Sequence, residues 1–354
     1  MLLRAIVLLV LLSVGLGETS AVSGTRSEAE TSRGNTESTQ ETAKGVQVAA
    51  ERMLVRARQL SDIRSANAPT FRLRLSFSLT DKHLDTIRGT YDEVWISKSR
   101  WRRETIVSGL KWIEITTPTK RWLALGGKDF PEQATRVPAL VEMLPAKADG
   151  FQFDSVTDKD SVTQCAITKP GAARHQKYAF CFDKNGGALV GTVTPLLVGQ
   201  RVADYSCRYG DFRKFGSYWF PREMACYLDT HQVMEATVDE LVFESSPNAA
   251  LFNPPTEAVE MENCSVEPVP PQLMSSPAAK LPPDAQSRRS SVGLWMIIDL
   301  QGNPKDIKIA KSGGEPFDDV ASGAVRKWHF RPGSCEGRPF AMPISFEVRF
   351  QHSD

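Results

Sequence analysis

Six cysteines, five histidines and seven tryptophans are the side chains of this chain with the most chemistry to offer. Their spacing decides between metal binding, catalysis and crosslinking. A structural zinc site wants thiols and imidazoles at short fixed intervals such as C-x2-C. Cys165, Cys181, Cys207, Cys226, Cys264 and Cys335 never approach that spacing. The histidines, His83, His175, His231, His329 and His352, stand singly and suit turns, surfaces or packing. No nucleophile elbow, H-E-x-x-H, phosphate-binding loop or dinucleotide fingerprint occurs. Adjacent Asp318 and Asp319 fall in the first turn of an expected helix, where they complement its dipole. The sequence therefore predicts no enzyme, no cofactor and no metal site.

The cysteines are left for disulfides. Facing residues of an antiparallel hairpin have numbers of constant sum, so half that sum marks the turn. Cys165 and Cys181 centre on Ala173, just after Lys169-Pro170-Gly171. Cys207 and Cys226 centre between Gly216 and Ser217. Facing strand positions lie about 4.5–5.5 Å apart at Cα, which a disulfide spans. Cys264 and Cys335 remain, and they predict a clasp between a linker and the C-terminal segment.

Disulfides need an oxidising compartment. Arg4 precedes an apolar run from Ala5 to Leu16 that small and polar residues follow. A membrane span takes about 20 apolar residues, so residues 1–21 read as a secretory signal peptide. The expected location is the periplasm, and the alternative is inner-membrane anchoring by an uncleaved N-terminal segment. A net charge of +1 over 354 residues carries no nucleic-acid signature.

Residues 22–45 are rich in Ser, Thr and Glu and read as a flexible leader. From Val46, apolar residues at Ala49, Ala50, Met53, Leu54, Ala57 and Leu60 predict an amphipathic helix. Short alternating segments follow at Phe71–Leu79, Thr90–Ser97, Trp101–Val107, Leu110–Thr116 and Arg121–Leu125, and a helical stretch runs from Ala134 to Leu144 before Pro145. More strands are expected at Val162–Thr168, Tyr178–Asp183, Ala188–Thr194, Arg201–Tyr209, Tyr218–Leu228 and His231–Phe243. Ten or eleven antiparallel strands and one N-terminal helix make residues 46–260 a large curved sheet. Trp95, Trp101, Trp112 and Trp122 recur on neighbouring strands, which suits a sheet core or the wall of a hollow. Residues 261–280 lie in a proline-rich stretch, with eight prolines between Pro254 and Asp284, and read as a semi-rigid linker.

In residues 281–354, Val292, Leu294, Met296 and Ile298 alternate along a half-buried strand, and Ile307 and Ile309 begin a second after the Gly302-Asn303-Pro304 turn. Phe317, Val320, Ala321, Ala324, Val325 and Trp328 follow at helical spacing. Phe340, Met342, Ile344, Phe346, Val348 and Phe350 occupy the even positions of one long strand. The order is β-β-α-β.

That order, with Pro282 and Ala285 at its opening, Asp299 to Gly302, Lys311-Ser312-Gly313, the helix from Phe317 to Pro332, and Gly337 and Pro339 before the closing strand, resembles the TonB C-terminal domain family. Leu281 stands where an aromatic is usual, and Gly323 inside the helix costs about 1 kcal/mol against alanine. The resemblance implies docking of a partner peptide at the sheet edge. That edge falls at Phe340, Ala341, Met342, Ile344, Phe346 and Val348. Pro343 suits an edge strand because it lacks a ladder donor.

The larger domain, through its helix AAERMLVRARQL and the strands GTYDEVWIS, KSRWRRET and GLKWIEI, resembles LolA-like and LolB-like lipoprotein carriers. The whole reads as α+β: an incomplete antiparallel barrel with an N-terminal helix, plus a small C-terminal β-β-α-β domain. The functional expectation is a protein-interaction module for outer-membrane receptor or transport systems, without energised transport. One alternative is a carrier of lipid or lipoprotein acyl chains in a hollow lined by Trp95, Trp112 and Trp122; another is a structural envelope protein.

Overall fold

The computed structural model describes residues 31–350, except 81–84, 127–129, 145–149, 171–176, 199–200, 265–267, 282–284 and 286–289. The expected signal segment 1–21, the first part of the leader, His83, Pro145, His175, Pro282 and His352 lie outside the described residues.

Helix α1 runs Thr31–Ser61. It starts well before Val46, so the leader is helical from Thr31. No proline interrupts Thr31–Lys44, and Gly34 and Gly45 weaken a helix without breaking it. Packing nucleates the helix further along, where Ala50, Leu54 and Ala57 are buried.

The larger sheet follows. Its strands are β1 Phe71–Thr80, β2 Thr86–Ser97, β3 Arg100–Val107, β4 Leu110–Thr116, β5 Lys120–Gly126, β6 Phe153–Asp158, β7 Thr163–Thr168, β8 Ala179–Asp183, β9 Leu189–Val198, β10 Arg201–Phe215, β11 Tyr218–Leu228, β12 His231–Phe243 and β13 Val259–Glu262. A 3-10 turn at Glu132–Arg136 leads into the short helix α2, Val137–Glu142. The strands form one antiparallel sheet in the order β13-β5-β4-β3-β2-β1-β12-β11-β10-β9-β8-β7-β6. Its two edges, β13 and β6, do not pair, so the sheet is an open barrel. Alternation sets its faces: Phe71, Leu73, Leu75, Phe77 and Leu79 of β1 are all buried on the concave side. Between β3 and β4, Ser108 and Gly109 both take positive φ (51° and 78°), the twist a two-residue hairpin needs.

β6 and β13 were not expected. Phe153–Asp158 has no apolar alternation; Gln47 of α1 secures its start, donating to Phe151 O at 3.0 Å and accepting from Phe153 N at 2.9 Å. β13 exists because it pairs with β5, from Val259 opposite Leu123 to Glu262 opposite Lys120.

The C-terminal unit holds β14 Gln272–Ser275, β15 Ser290–Ile298, β16 Pro304–Lys311, α3 Phe317–Val325, β17 His329–Arg331, β18 Gly333–Cys335, β19 Arg338–Phe340 and β20 Met342–Phe350. Its main sheet is ordered β16-β15-β20. Part of the stretch expected as a spacer, residues 261–280, pairs with this unit. β14 pairs with β17, and Val269 bridges Ser334.

The expected half-buried first strand is buried on both faces. Val292, Leu294, Met296 and Ile298 pack against Phe317, Ala321, Val325 and Trp328. Trp295 and Ile297, on the other face, join the larger domain's core with Leu123, Leu125, Phe130 and Met261. The Trp295 and Trp112 rings meet edge to face at 6.1 Å. Lys308 Nζ adds a hydrogen bond to Leu125 O at 2.5 Å. Alternation reports one apolar face per strand, so it cannot show that a second face meets another domain.

Truncating a buried tryptophan costs about 3–5 kcal/mol. Trp295→Ala should therefore lower the unfolding free energy of the full chain by that much, and its urea midpoint in proportion, in a transition that near-ultraviolet dichroism and backbone dichroism report together. An unchanged midpoint would show that the two units do not share a core.

Candidate docking edge and the buried charge network

Among the described residues β20 lies outermost in its sheet and pairs only with β15, from Ser290 opposite Phe350 to Ile298 opposite Met342. Phe346, Val348 and Phe350 are buried against α3, with Ile344 half-buried beside them. Pro343, Ser345, Glu347 and Arg349 occupy the opposite face, where Arg349 donates to Glu347 at 2.6 and 2.7 Å. Of the expected docking residues, Met342, Ile344, Phe346 and Val348 fall on this edge strand. Phe340 instead ends β19, opposite Gly333, and Ala341 packs against the larger core.

All six cysteines are paired. Cys165 faces Cys181 across β7 and β8, with Cα atoms 4.0 Å apart, and Cys207 faces Cys226 across β10 and β11, at 4.1 Å. Cys264 joins Cys335 at 5.9 Å, tying the end of β13 to β18. Among the described residues no group of three or more His, Cys, Asp or Glu could hold a metal ion. Asp318 is buried and accepts from Ser312 Oγ at 2.6 Å and Gly313 N at 2.8 Å, so it braces the turn before α3.

The three tryptophans expected to line a hollow do not share a face. Trp95 lies on the concave side, stacked with Phe71 at 6.3 Å. Trp112 is on the same side, between Phe130 at 5.7 Å and Trp295. Trp122 sits opposite Ile115 on the convex side, in a small cluster with Val94, Ile113, Ala124 and Phe252. Neighbouring strands repeat their residue types, but only the register says which face each takes.

The concave face also carries an ion network that the sequence reading missed. Glu93 is fully buried between two arginines. Arg64 makes a two-pronged bond to it, with Nε at 2.9 Å from Oε1 and Nη2 on Oε2. Arg103 Nε donates to Oε1 at 3.2 Å, and Tyr91 OH donates to Oε2 at 3.1 Å. Arg103 Nη2 reaches Glu142 at 2.6 Å, while Arg64 Nη1 bonds Val141 O at 3.1 Å. The segment after α1 and strands β2 and β3 therefore meet on one carboxylate, and the two arginines tie it to the end of α2. The available signal was in β2, where Tyr91, Glu93 and Trp95 alternate inward and Arg103 faces Glu93.

Burial pushes the Glu93 carboxyl up, but the Arg64 and Arg103 charges and the hydrogen bonds from Arg64 and Tyr91 outweigh it. Together they bring it from the ordinary 4.5 down to about 2. Burial, then the Glu93 charge, drives the Tyr91 phenol well above its ordinary value.

Residues 278–352 match the family described as Gram-negative bacterial TonB protein C-terminal. The match covers the whole β15-β16-α3-β20 unit, hereafter the TonB-like domain. No curated protein matches the chain. Among solved structures, the chain is similar to a Vibrio parahaemolyticus domain described as outer membrane lipoprotein-sorting, at 13% identity and a TM-score of 0.41, over 58% of this chain and 97% of that one. A LolA superfamily protein from Nitrosomonas europaea aligns over the same shares at 11% identity and a TM-score of 0.40. The MucA/MucB complex of Pseudomonas aeruginosa aligns over 85% of this chain and 94% of that one, at 9% identity and a TM-score of 0.28.

Glu93→Gln should leave two buried guanidinium groups without their shared anion, at about 3–5 kcal/mol near neutral pH. The folded-state pKa lies below the unfolded one, so the stabilisation is present above about pH 4.5 and lost as pH falls toward 2. Denaturant titrations of both proteins should converge across that window. A gap that stays constant from pH 7 to pH 2 would rule out the ionised carboxylate as its source.

Proposed function

We propose that this chain is a cell-envelope protein-interaction module. Its TonB-like domain receives an extended segment of an outer-membrane receptor or another envelope protein along β20. The observation that carries the reading is the edge position of β20 in a sheet whose other face and core are already complete. An incoming strand has only backbone groups left to satisfy there, which is how strand addition gains affinity. The family match over residues 278–352 and the three disulfides support an envelope setting. Secretion into the periplasm by residues 1–21 belongs to the same proposal. Among the described residues no helix is long and apolar enough to cross a membrane. Binding is proposed without energy coupling and without a chemical step.

The carrier reading needs space beside Trp95 and Trp112. Phe71, Phe130 and Trp295 occupy the positions next to those rings, which favours the interaction module. Acyl lipid recovered in stoichiometric amount by mass spectrometry of the purified chain would reverse that preference.

A photoreactive phenylalanine analogue tests the edge directly. Placed at exposed Ser345 on β20, it should crosslink in cells to a short extended segment of an outer-membrane protein. Placed at exposed Asp306 on the far strand β16, it should give no such adduct. Adducts from Asp306 alone, or none from Ser345, count against docking at β20.

A further inference from the structure

Strands β11 and β12 pair only over part of their length. Their ladder runs from Leu228 opposite His231 to Glu223 opposite Thr237 and stops there. Each strand continues with its other neighbour, β11 as far as Tyr218 opposite Phe215 of β10, and β12 as far as Phe243 opposite Phe71 of β1. The cause is local: Asp239 is an extra residue between Val238 opposite Leu75 and Glu240 opposite Arg74. The sheet opens into a cleft of about 370 Å³, with Phe215, Phe220, Val238 and Leu241 among its walls.

The facing edges of the two strands carry no ladder between Tyr218–Arg222 and Val238–Phe243. Arg222 Nη2 reaches across to Val238 O at 3.4 Å, the position of a missing ladder bond. Around the mouth, three large apolar side chains are exposed: Trp219, Val242 and Phe243. The charges at the cleft are not balanced. Glu240 is paired with Arg74 at 3.0 Å, while Asp239 accepts only from the Ser76 hydroxyl, at 2.7 Å, and keeps its charge. Arg213 pairs with Asp211 at 2.9 Å. Lys214 lies over the Trp219 ring at 5.5 Å, and among the described residues neither it nor Arg222 meets a carboxylate.

We propose that this cleft is a second binding site, which takes an extended peptide carrying alternating acidic and apolar residues. Unpaired strand edges on both sides supply the backbone partners. Exposed Trp219 and Val242, with half-buried Leu241, receive the apolar side chains, and Lys214 and Arg222 receive the carboxylates. The site is independent of β20, which lies in the TonB-like domain.

The test uses the full disulfide-bonded chain and two probes: an acetylated, amidated hexapeptide of alternating Glu and Val, and its Lys and Val counterpart. In heteronuclear NMR the acidic peptide should shift the Trp219 indole and the Val238–Phe243 amides, and leave β20 unperturbed. Combined Lys214→Glu and Arg222→Glu, both at exposed positions, should weaken its binding about tenfold or more. The proposal is overturned if both peptides bind equally, if the charge reversals leave affinity unchanged, or if the shifts map to β20 instead.

Discussion

The packing of Trp295 and Ile297 into the larger domain is the constraint on which the rest of the structure depends. A three-stranded sheet with one helix can bury one face, and α3 buries the face carrying Val292, Leu294, Met296 and Ile298. The second face of β15 carries Trp295 and Ile297, two large apolar side chains that must be covered by something else. The concave side of the large sheet covers it, through Trp112, Leu125 and Phe130. That docking fixes what is left exposed. β16 lies toward the larger domain, as the bond from Lys308 to Leu125 shows, while β20 keeps a free edge. The Cys264–Cys335 bond and the β13–β5 ladder hold the intervening segment in place, so the docked arrangement needs little ordering of the chain between the units.

The ion network solves a related problem. An open, curved sheet must be covered on its concave side, and α2 contributes Val137, Leu140 and Val141 to that cover. Arg103 bonds Glu142 from the sheet side, Arg64 bonds Val141 O from the segment that follows α1, and Glu93 holds both arginines. A buried ion group is poor evidence of net stability, because desolvation offsets attraction. Its geometry is nonetheless specific: Arg64, Arg103 and Tyr91 satisfy both oxygens of Glu93, and each arginine keeps a further donor for the end of α2. The network sets the position of α2 more than it adds to the depth of the folded state.

Much of the architecture was legible in the sequence, and the misses share one cause. β1, β4, β11 and β12 fall where alternation or turn residues place them, because each carries its own apolar pattern. The hairpin arithmetic likewise reached Cys165–Cys181 and Cys207–Cys226, since antiparallel register follows from the turn. β6, β13, β14 and β17 to β19 escaped notice because their own side chains do not define them; Gln47, β5 and each other do. Trp122 was placed in the hollow for a similar reason: composition gives a tryptophan but not its face. Glu93 looked like any strand glutamate until the register set Arg103 opposite it.

Native-state hydrogen exchange of the full chain tests most directly whether the two units share one core and leave β20 free. Amides of Val292–Ile298 should exchange only through global unfolding, at the same free energy as those of Phe71–Leu79. Along β20 protection should alternate, since every second amide of an edge strand has no partner. Opening of β15 well below the free energy of β1, or uniform protection from Ile344 to Phe350, would contradict the account.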